Sequence, residues 1–401
     1  MFTAKEINEF VESNRERIIA CLVDMLKVPS VTGKELEVSK VFTKWIESFG
    51  IKVDIIGSSE DRPNILAEWF GSKPGKRFIF NGHMDTFPPN ADPGLFGPYS
   101  GKIVDGYIYG RGTCDMKSGD AAILMATGLL KEMGFDPLGS VLLNFVSDEE
   151  NQSYLGTRLL LERGLLNGDY GICPEATGGR IRLGHSGTVH LAFTYAAPQA
   201  HALHHHPTMD ALEKATRAIS ALYDFRDNVI KHKEDVNYGH PSLSVTTMHA
   251  GTVANVHADN AKFTIDRRTL PSETNEQVIK EITDVLDKLK NNDSGMDYIM
   301  KFIDDRPFLE VPKDSPAVIA ASEAYEEITG KPAVLYRQFG GTDAAFFQQA
   351  TNIHMPVWGA ALTEMDGELE FGECTPNERI SVDAYVQSVA YYMLTVVKLM
   401  Q

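Results

Sequence analysis

The sequence predicts an α/β protein in which a second, α+β domain is inserted. Strand-like and helix-like stretches alternate up to Gly184 and again from Ser315 onward, the rhythm of a layered α/β domain. Between them the order is strand, helix, strand, strand, helix, strand, which is that of a ferredoxin-like sandwich. A length of 401 residues also exceeds the usual span of one core. The expected boundaries are 1–184 and 306–401 for the two parts of the discontinuous domain and 185–305 for the insertion.

From Thr3 to Val28 apolar residues recur at helical spacing (Ile7, Phe10, Val11, Ile18, Ile19, Leu22, Met25, Leu26), which predicts one helix stopped by Pro29. Glu35–Phe49 predicts a second amphipathic helix with Gly50 as its C-cap. Strands are expected at Lys52–Ile56, Asn64–Phe70, Arg77–Asn81 and Ile103–Tyr109. A helix Ser118–Glu132, a strand Ser140–Ser147, a helix Tyr154–Arg163 and a strand around Tyr170–Cys173 follow. The insertion reads as strand Thr188–Tyr195, helix Met209–Tyr223, strands Leu243–Ala250 and Ala261–Arg268, helix Glu276–Lys288 and strand Met296–Ile303. The last part reads as helix Pro316–Thr329, strand Ala333–Tyr336, helix Asp343–Gln349, strand His354–Trp358 and helix Ser381–Met400.

Hydrophobic residues at 43% and charged residues at 23% describe an ordinary soluble globular chain. No apolar run approaches the roughly 18 residues of a membrane span, and Met1–Glu16 is too polar for a signal peptide, so a cytoplasmic protein is expected. A formal charge of -17, with Lys and Arg scattered, argues against a nucleic-acid partner. Cys21, Cys114, Cys173 and Cys374 lie far apart, which indicates reduced thiols rather than a disulfide framework or a zinc ribbon.

The stretch Asn81–Asp120 concentrates the chemistry. RFIFNGHMD is a strand that runs into His83 and Asp85, and GRGTCDMKSGD follows with Asp115. Parallel sheets deliver ligands at the carboxyl ends of their strands, and imidazole beside carboxylate suits a hydrolytic zinc site. A capped or core histidine is the plainer alternative for His83. The strand VLLNFV closes on SDEENQ, where adjacent acids repel unless a cation sits among them. Glu149 and Glu150 can take different roles, general base and ligand, although an acidic helix start would also account for them. Glu175, in CPEAT, ends another buried strand. Together His83, Asp115, Glu150 and Glu175 would fit two divalent ions sharing one bridging acid.

On GHMDT, GRGTCDMKSG and DEE, taken in this order, the chain resembles the dizinc metallopeptidase family of acetylornithine deacetylase, succinyl-diaminopimelate desuccinylase, aminoacylase-1 and glutamate carboxypeptidase, from VPSVTG to TPNERI. The resemblance implies a zinc-peptidase-like α/β/α sandwich as catalytic domain, with the ferredoxin-like insertion as lid and dimerisation domain. It implies that His83 binds one zinc, that Asp115 bridges both, and that Glu150 and Glu175 bind one each. Glu149 would be the general base and Asp85 would orient His83, with a cis peptide between Asp115 and Met116. AHALHHHP matches a segment whose histidine stabilises the oxyanion in the partner subunit's site. That match falls on His201, with His204, His205 and His206 as rivals and a plain surface histidine as the alternative. GTVANV and DRRTLP point to Asn255 and Arg268 as binders of a substrate carboxylate, for which the Arg fork is suited. A surface ion pair is the alternative for Arg268. GGTDA points to Gly341 and Thr342 as lining the substrate pocket.

One position departs from the pattern. The family's last ligand is a histidine in a His-Thr-Pro-Asn-Glu-like motif, and this chain reads GECTPNERI, with Cys374 there. A thiolate is a competent zinc ligand and would make that half of the site softer. The alternatives are a weak or absent second ion, replacement by His354 or Glu373, or an inert thiol.

The implied function is a cytoplasmic, homodimeric, metal-dependent hydrolase of an amide bond in a small carboxylate-bearing substrate. It would be an N-acyl amino acid deacylase or a dipeptidase or carboxypeptidase, using a zinc-bridged hydroxide with Glu149 as base. The cofactors would be two divalent ions, zinc first, cobalt or manganese otherwise. Movement of the inserted domain would gate entry. No nucleic acid or membrane partner is expected. A binding protein on the same scaffold, its site damaged at Cys374, would bind such compounds without turnover, and a carbamoyl-amide hydrolase of the same family would release ammonia from ureido substrates.

Overall fold

In the computed structural model, which describes residues 2–204, 210–363 and 371–401, the chain divides into two compact units. Met1–Gly184, Glu310–Tyr336 and Thr342–Gln401 form the first, and His185–Leu309 with Arg337–Gly341 form the second.

The first unit is organised by a five-stranded sheet. Lys73–His83 pairs in parallel with Leu138–Val146 on one side and Tyr170–Ile172 on the other. Pro63–Phe70 then adds antiparallel to Leu138–Val146, and Asp54–Gly57 closes that edge. Phe78, Ile79 and Phe80 are fully buried on successive positions, so both faces of the central strand are covered, as in parallel sheets generally. Helices Lys117–Glu132 and Val382–Met400 pack against the two central strands. Lys117–Glu132 is buried nearly all round, because Gly, Ala, Leu, Ile and Met make up most of it. At Gly119 a Cβ would lie 2.0 Å from the carbonyl oxygen of Pro174, so glycine lets the segment carrying Glu175 press against the helix's first turn.

The register aligns the strand ends. His83 lies opposite Val146, and Phe80 opposite Ile172, so the residues that follow all three strands emerge at one edge of the sheet.

Three elements differ from the sequence expectation. The first helix is two, Ala4–Ser13 and Arg15–Leu26, parted at Asn14, whose side chain donates to the carbonyl of Phe10 at 2.9 Å. Apolar spacing runs through that break, so periodicity does not reveal it. Ile103–Tyr109 falls in a hairpin of Lys102–Val104 and Tyr107–Tyr109, turned by Asp105 and Gly106 at positive φ. His354–Trp358 is no strand: only Val357 pairs there, through isolated bridges to Cys173 and Arg182. Met355, Val357 and Trp358 are fully buried, and apolarity there reports burial rather than a ladder.

The second unit runs Gly187–Ala196, Ala211–Asn228, Ser242–Ala250, Asn260–Thr269, Asn275–Asn292, Tyr298–Arg306. Its sheet places the last strand beside the first, then the third, then the second, all antiparallel, which is the ferredoxin-like order. Asp210 caps the first helix, and Thr274 and Gln277 form a capping box on the second. Val189, Leu191, Phe193 and Tyr195 alternate into a core with Ala211, Ala215, Leu222, Val278 and Ile282. His190 therefore points to the opposite face. Among the described residues no helix is long and apolar enough to cross a membrane.

Candidate metal centre

His83 is the last residue of the central strand. Its Nδ1 lies 2.9 Å from the carbonyl oxygen of Asp85, which can only accept, so Nδ1 carries the hydrogen and Nε2 is the free coordinating nitrogen of the neutral ring. Nε2 faces Asp115 Oδ1 at 3.0 Å, Glu175 Oε1 at 3.5 Å and Glu149 Oε2 at 4.0 Å. Asp85 therefore meets the ring through its carbonyl, its carboxylate standing 3.6 Å from Nδ1. That carboxylate accepts instead from the N–H groups of Glu149 at 3.1 Å and Glu150 at 3.2 Å and from the Thr32 hydroxyl at 3.0 Å.

Glu149 and Glu150 open a short 3₁₀ turn after Asp148, which sits at φ 74°. Arg62 holds Asp148 at 2.6 Å and forms an ion pair with buried Glu35 at 2.9 Å. Ser153 and Thr157, just beyond the turn, both donate to Asp343. The acidic turn is thus fixed from behind by paired charges. Asp115 approaches from the loop before helix Lys117–Glu132, and its peptide bond to Met116 is cis.

Crowded acids set the electrostatics. Burial raises the Glu175 carboxyl, and Asp115 adds to the rise; Glu150 is pushed well above its usual value by burial and then by Asp115. Burial alone would lower the His83 imidazole, but Asp115 and Glu175 carry it well above its ordinary value. Nε2 is a place for positive charge, and a proton and a metal ion compete for it.

The donor set fits a divalent cation. One ligand atom from each of His83, Asp115 and Glu175 lies within 4.8 Å of the others. Nitrogen with carboxylate oxygen suits zinc, cobalt or manganese. Glu150 and Cys374 stand outside that group of three. Glu150 Oε1 is nevertheless buried with no hydrogen-bond partner among the described residues. The Cys374 thiol is raised by burial and by Asp115 and Glu150, so it lies in the field of the same acids.

The other candidates lie elsewhere. His201, Asn255, Arg268 and Gly341 belong to the second unit, and Thr342, which is buried, resumes the first. The segments of His201 and Asn255 are joined: His201 bridges to Val256, and the Ala202 N–H donates to the Asn255 carbonyl at 3.0 Å. His201 Nδ1 accepts from the Leu203 N–H at 3.1 Å. His204 is described and exposed, while His205 and His206 lie outside the described residues. Arg268 is paired with Asp266, its Nε and Nη2 at 2.9 and 3.1 Å from the two carboxylate oxygens. A Cβ at Gly341 would lie 2.5 Å from Arg306 Cδ.

Sequence reasoning missed the buried charges that support the centre, Glu35, Arg111, Asp120, Asp148, Asp343 and Glu378, and the half-buried Arg62 that pairs with two of them. The available signal was charge inside otherwise small or apolar segments, as in TPNERI and DRPNIL. Asp120 also explains Gly82, where a Cβ would lie 1.8 Å from Asp120 Oδ1.

The chain is similar to known proteins over most of its length. It is 28% identical over 385 residues to a succinyl-diaminopimelate desuccinylase of Cereibacter sphaeroides, covering 90% of this chain and 96% of that one. Its fold matches human carnosine dipeptidase 1 with a TM-score of 0.77 at 16% identity, covering 99% of this chain and 98% of the other. It matches the YXEP protein of Bacillus subtilis, described as a dinuclear metal-binding peptidase, with a TM-score of 0.72 at 21% identity over 97% and 99%. The model of peptidase family M20/M25/M40 matches residues 79–398, and the chain belongs to that family.

Proposed function

We propose that this chain, an amide-bond hydrolase by its family, acts on a small substrate that carries a free carboxylate, as an N-acyl amino acid deacylase or a dipeptidase or carboxypeptidase. The observation that carries the reading is the convergence of Asp115, Glu175 and Glu149 on His83 Nε2, all within 4.0 Å. His83, Asp115, Glu150, Glu175 and Cys374 would hold two divalent ions, zinc foremost, which supply Lewis acidity toward a water and the scissile carbonyl.

The chain's own residues do the rest. Glu149, buried beside His83 and fixed through its N–H by Asp85, takes the proton of the attacking water and returns it to the leaving nitrogen. His201 accepts at Nδ1, so its proton sits on Nε2, where it can donate to a developing oxyanion in the site of a second copy. Arg268 keeps its Nη1/Nη2 edge for a carboxylate while Asp266 occupies the Nε side, with Asn255 as a further donor and Gly341 and Thr342 lining the pocket. A cytoplasmic homodimer, gated by its second unit, completes the reading.

A panel of N-acyl amino acids, dipeptides and ureido acids, offered to protein stripped by chelator and reloaded with zinc, cobalt or manganese, tests this. Turnover that vanishes with the metal and returns with it is expected. Binding without turnover under every ion would favour the non-catalytic alternative, and ammonia release would redirect the reading to ureido substrates.

A further inference from the structure

Two segments from distant parts of the sequence are tied together beside the centre. One runs from Gly110 to Met116 and carries Asp115; the other runs from Phe371 to Arg379 and carries Cys374. Glu378 lies between them. One carboxylate oxygen accepts the N–H of Cys114 at 2.7 Å and of Asp115 at 3.3 Å, and the other accepts Arg111 Nη1 at 2.6 Å. Arg111 then donates through Nη2 to Asn90 Oδ1 at 2.6 Å and to the Cys374 carbonyl at 3.2 Å. The backbone repeats the link, with the Gly110 N–H on the Glu378 carbonyl at 3.0 Å and Arg379–Ser381 paired to Tyr107–Tyr109.

Both charged groups are buried, Glu378 at 2% and Arg111 at 5% exposure. A buried ion pair contributes little net stability, because desolvating the two charges offsets their attraction, but it fixes geometry. This pair has one end on the peptide of Asp115 and the other on the peptide of Cys374. His83 and Glu175 reach the centre from the sheet instead.

We propose that Glu378 and Arg111 are positioning residues of the metal centre, which hold the peptide of Asp115 and the peptide of Cys374 at a fixed separation and so tune the ion shared by those two side chains. The inference rests on the reading of Cys374 as a ligand. Groups of this kind, bonded to ligand-bearing peptides, change metal affinity about 10–100-fold when removed. The ion on the His83 and Glu175 side should be spared.

Cobalt(II) titration of the apoprotein tests this without reference to turnover, reading bound ions by elemental analysis and the thiolate-to-cobalt charge-transfer band by absorbance. Wild type should take up two ions and show the band. Glu378→Gln and Arg111→Lys should keep one tight ion, bind the second about 10–100-fold more weakly, and lose or shift the band. Thermal unfolding of each apoprotein establishes that it is folded. Should Glu378→Gln not fold, Asn90→Ala removes the exposed partner of Arg111 Nη2 without unpairing a buried charge, and a smaller change in the same direction is expected. Folded variants with two ions, wild-type affinity and an unaltered band overturn the positioning role. Two ions in wild type with no thiolate band overturn the reading of Cys374 instead, and fewer than two ions overturn the two-ion centre.

Discussion

Two histidines of this protein sit among acids, and their surroundings are completed in different ways. Around His83, Asp115, Glu149 and Glu175 crowd a single ring nitrogen, while Nδ1 is taken by a carbonyl. Around His190 the partners are shared out: Asp304 meets Nδ1 at 2.6 Å, Asp266 meets Nε2 at 2.9 Å, and Arg268 covers the other side of Asp266. One histidine and one arginine balance two aspartates there. Burial would raise Asp266, but His190 and Arg268 bring it below its ordinary value, whereas Glu150 and Glu175 rise. The first arrangement leaves negative charge for an outside cation to neutralise; the second is neutral within the chain. Uncompensated burial marks the place where chemistry is expected.

The largest effect that sharpens this contrast is Glu149→Gln. Losing a positioned general base costs about 10²–10⁴ in kcat, and metal content should stay at its wild-type value because the ligands are intact. Steady-state kinetics with elemental analysis checks both, and full activity rejects the base. His201→Ala should lower kcat by about 10² with no change in bound metal, as for other oxyanion donors; unchanged kinetics would move the role to a neighbouring histidine. Cys374→Ser should lower the number of ions that survive gel filtration, and equal content would take the thiol out of the centre.

The smallest effect belongs to the balanced cluster. Asp266 and Asp304 raise the His190 pKa to about 9 from its ordinary 6.5, more strongly than burial lowers it. A raised pKa means a contribution to stability that is complete below about pH 6.5 and is lost as pH climbs through about 9. His190→Gln should cost a Tm shift of only about 2–4 °C near neutrality, and the difference from wild type should fade in alkaline buffer while metal content stays unchanged. A pH-independent difference would mean that packing, not charge, holds this histidine.

Much of this was legible beforehand. Runs such as RFIFNGH and VLLNFV are apolar up to the residue where chemistry begins, because a doubly covered strand must be apolar and its end need not be. The insertion was legible from the order of its elements, and the family from motifs at strand ends. Glu35, Arg62, Arg111 and Glu378 were not: each takes a charged partner distant in sequence, as Arg111 takes Glu378, and no periodicity encodes such a pair. The break at Asn14 escaped for the opposite reason, since a local kink leaves the apolar stripe unbroken.

The discontinuity of the first unit bears on how the molecule is made. Ribosomal synthesis finishes His83, Asp115, Glu150 and Glu175 before the second unit begins, and Cys374 and Glu378 emerge only after it. Until then Arg111 awaits its counter-charge, so a nascent or truncated chain ending short of Glu378 carries a cation that cannot be buried cheaply. With Cys374 as a ligand, as proposed above, the centre would be completed only in the last stretch of translation.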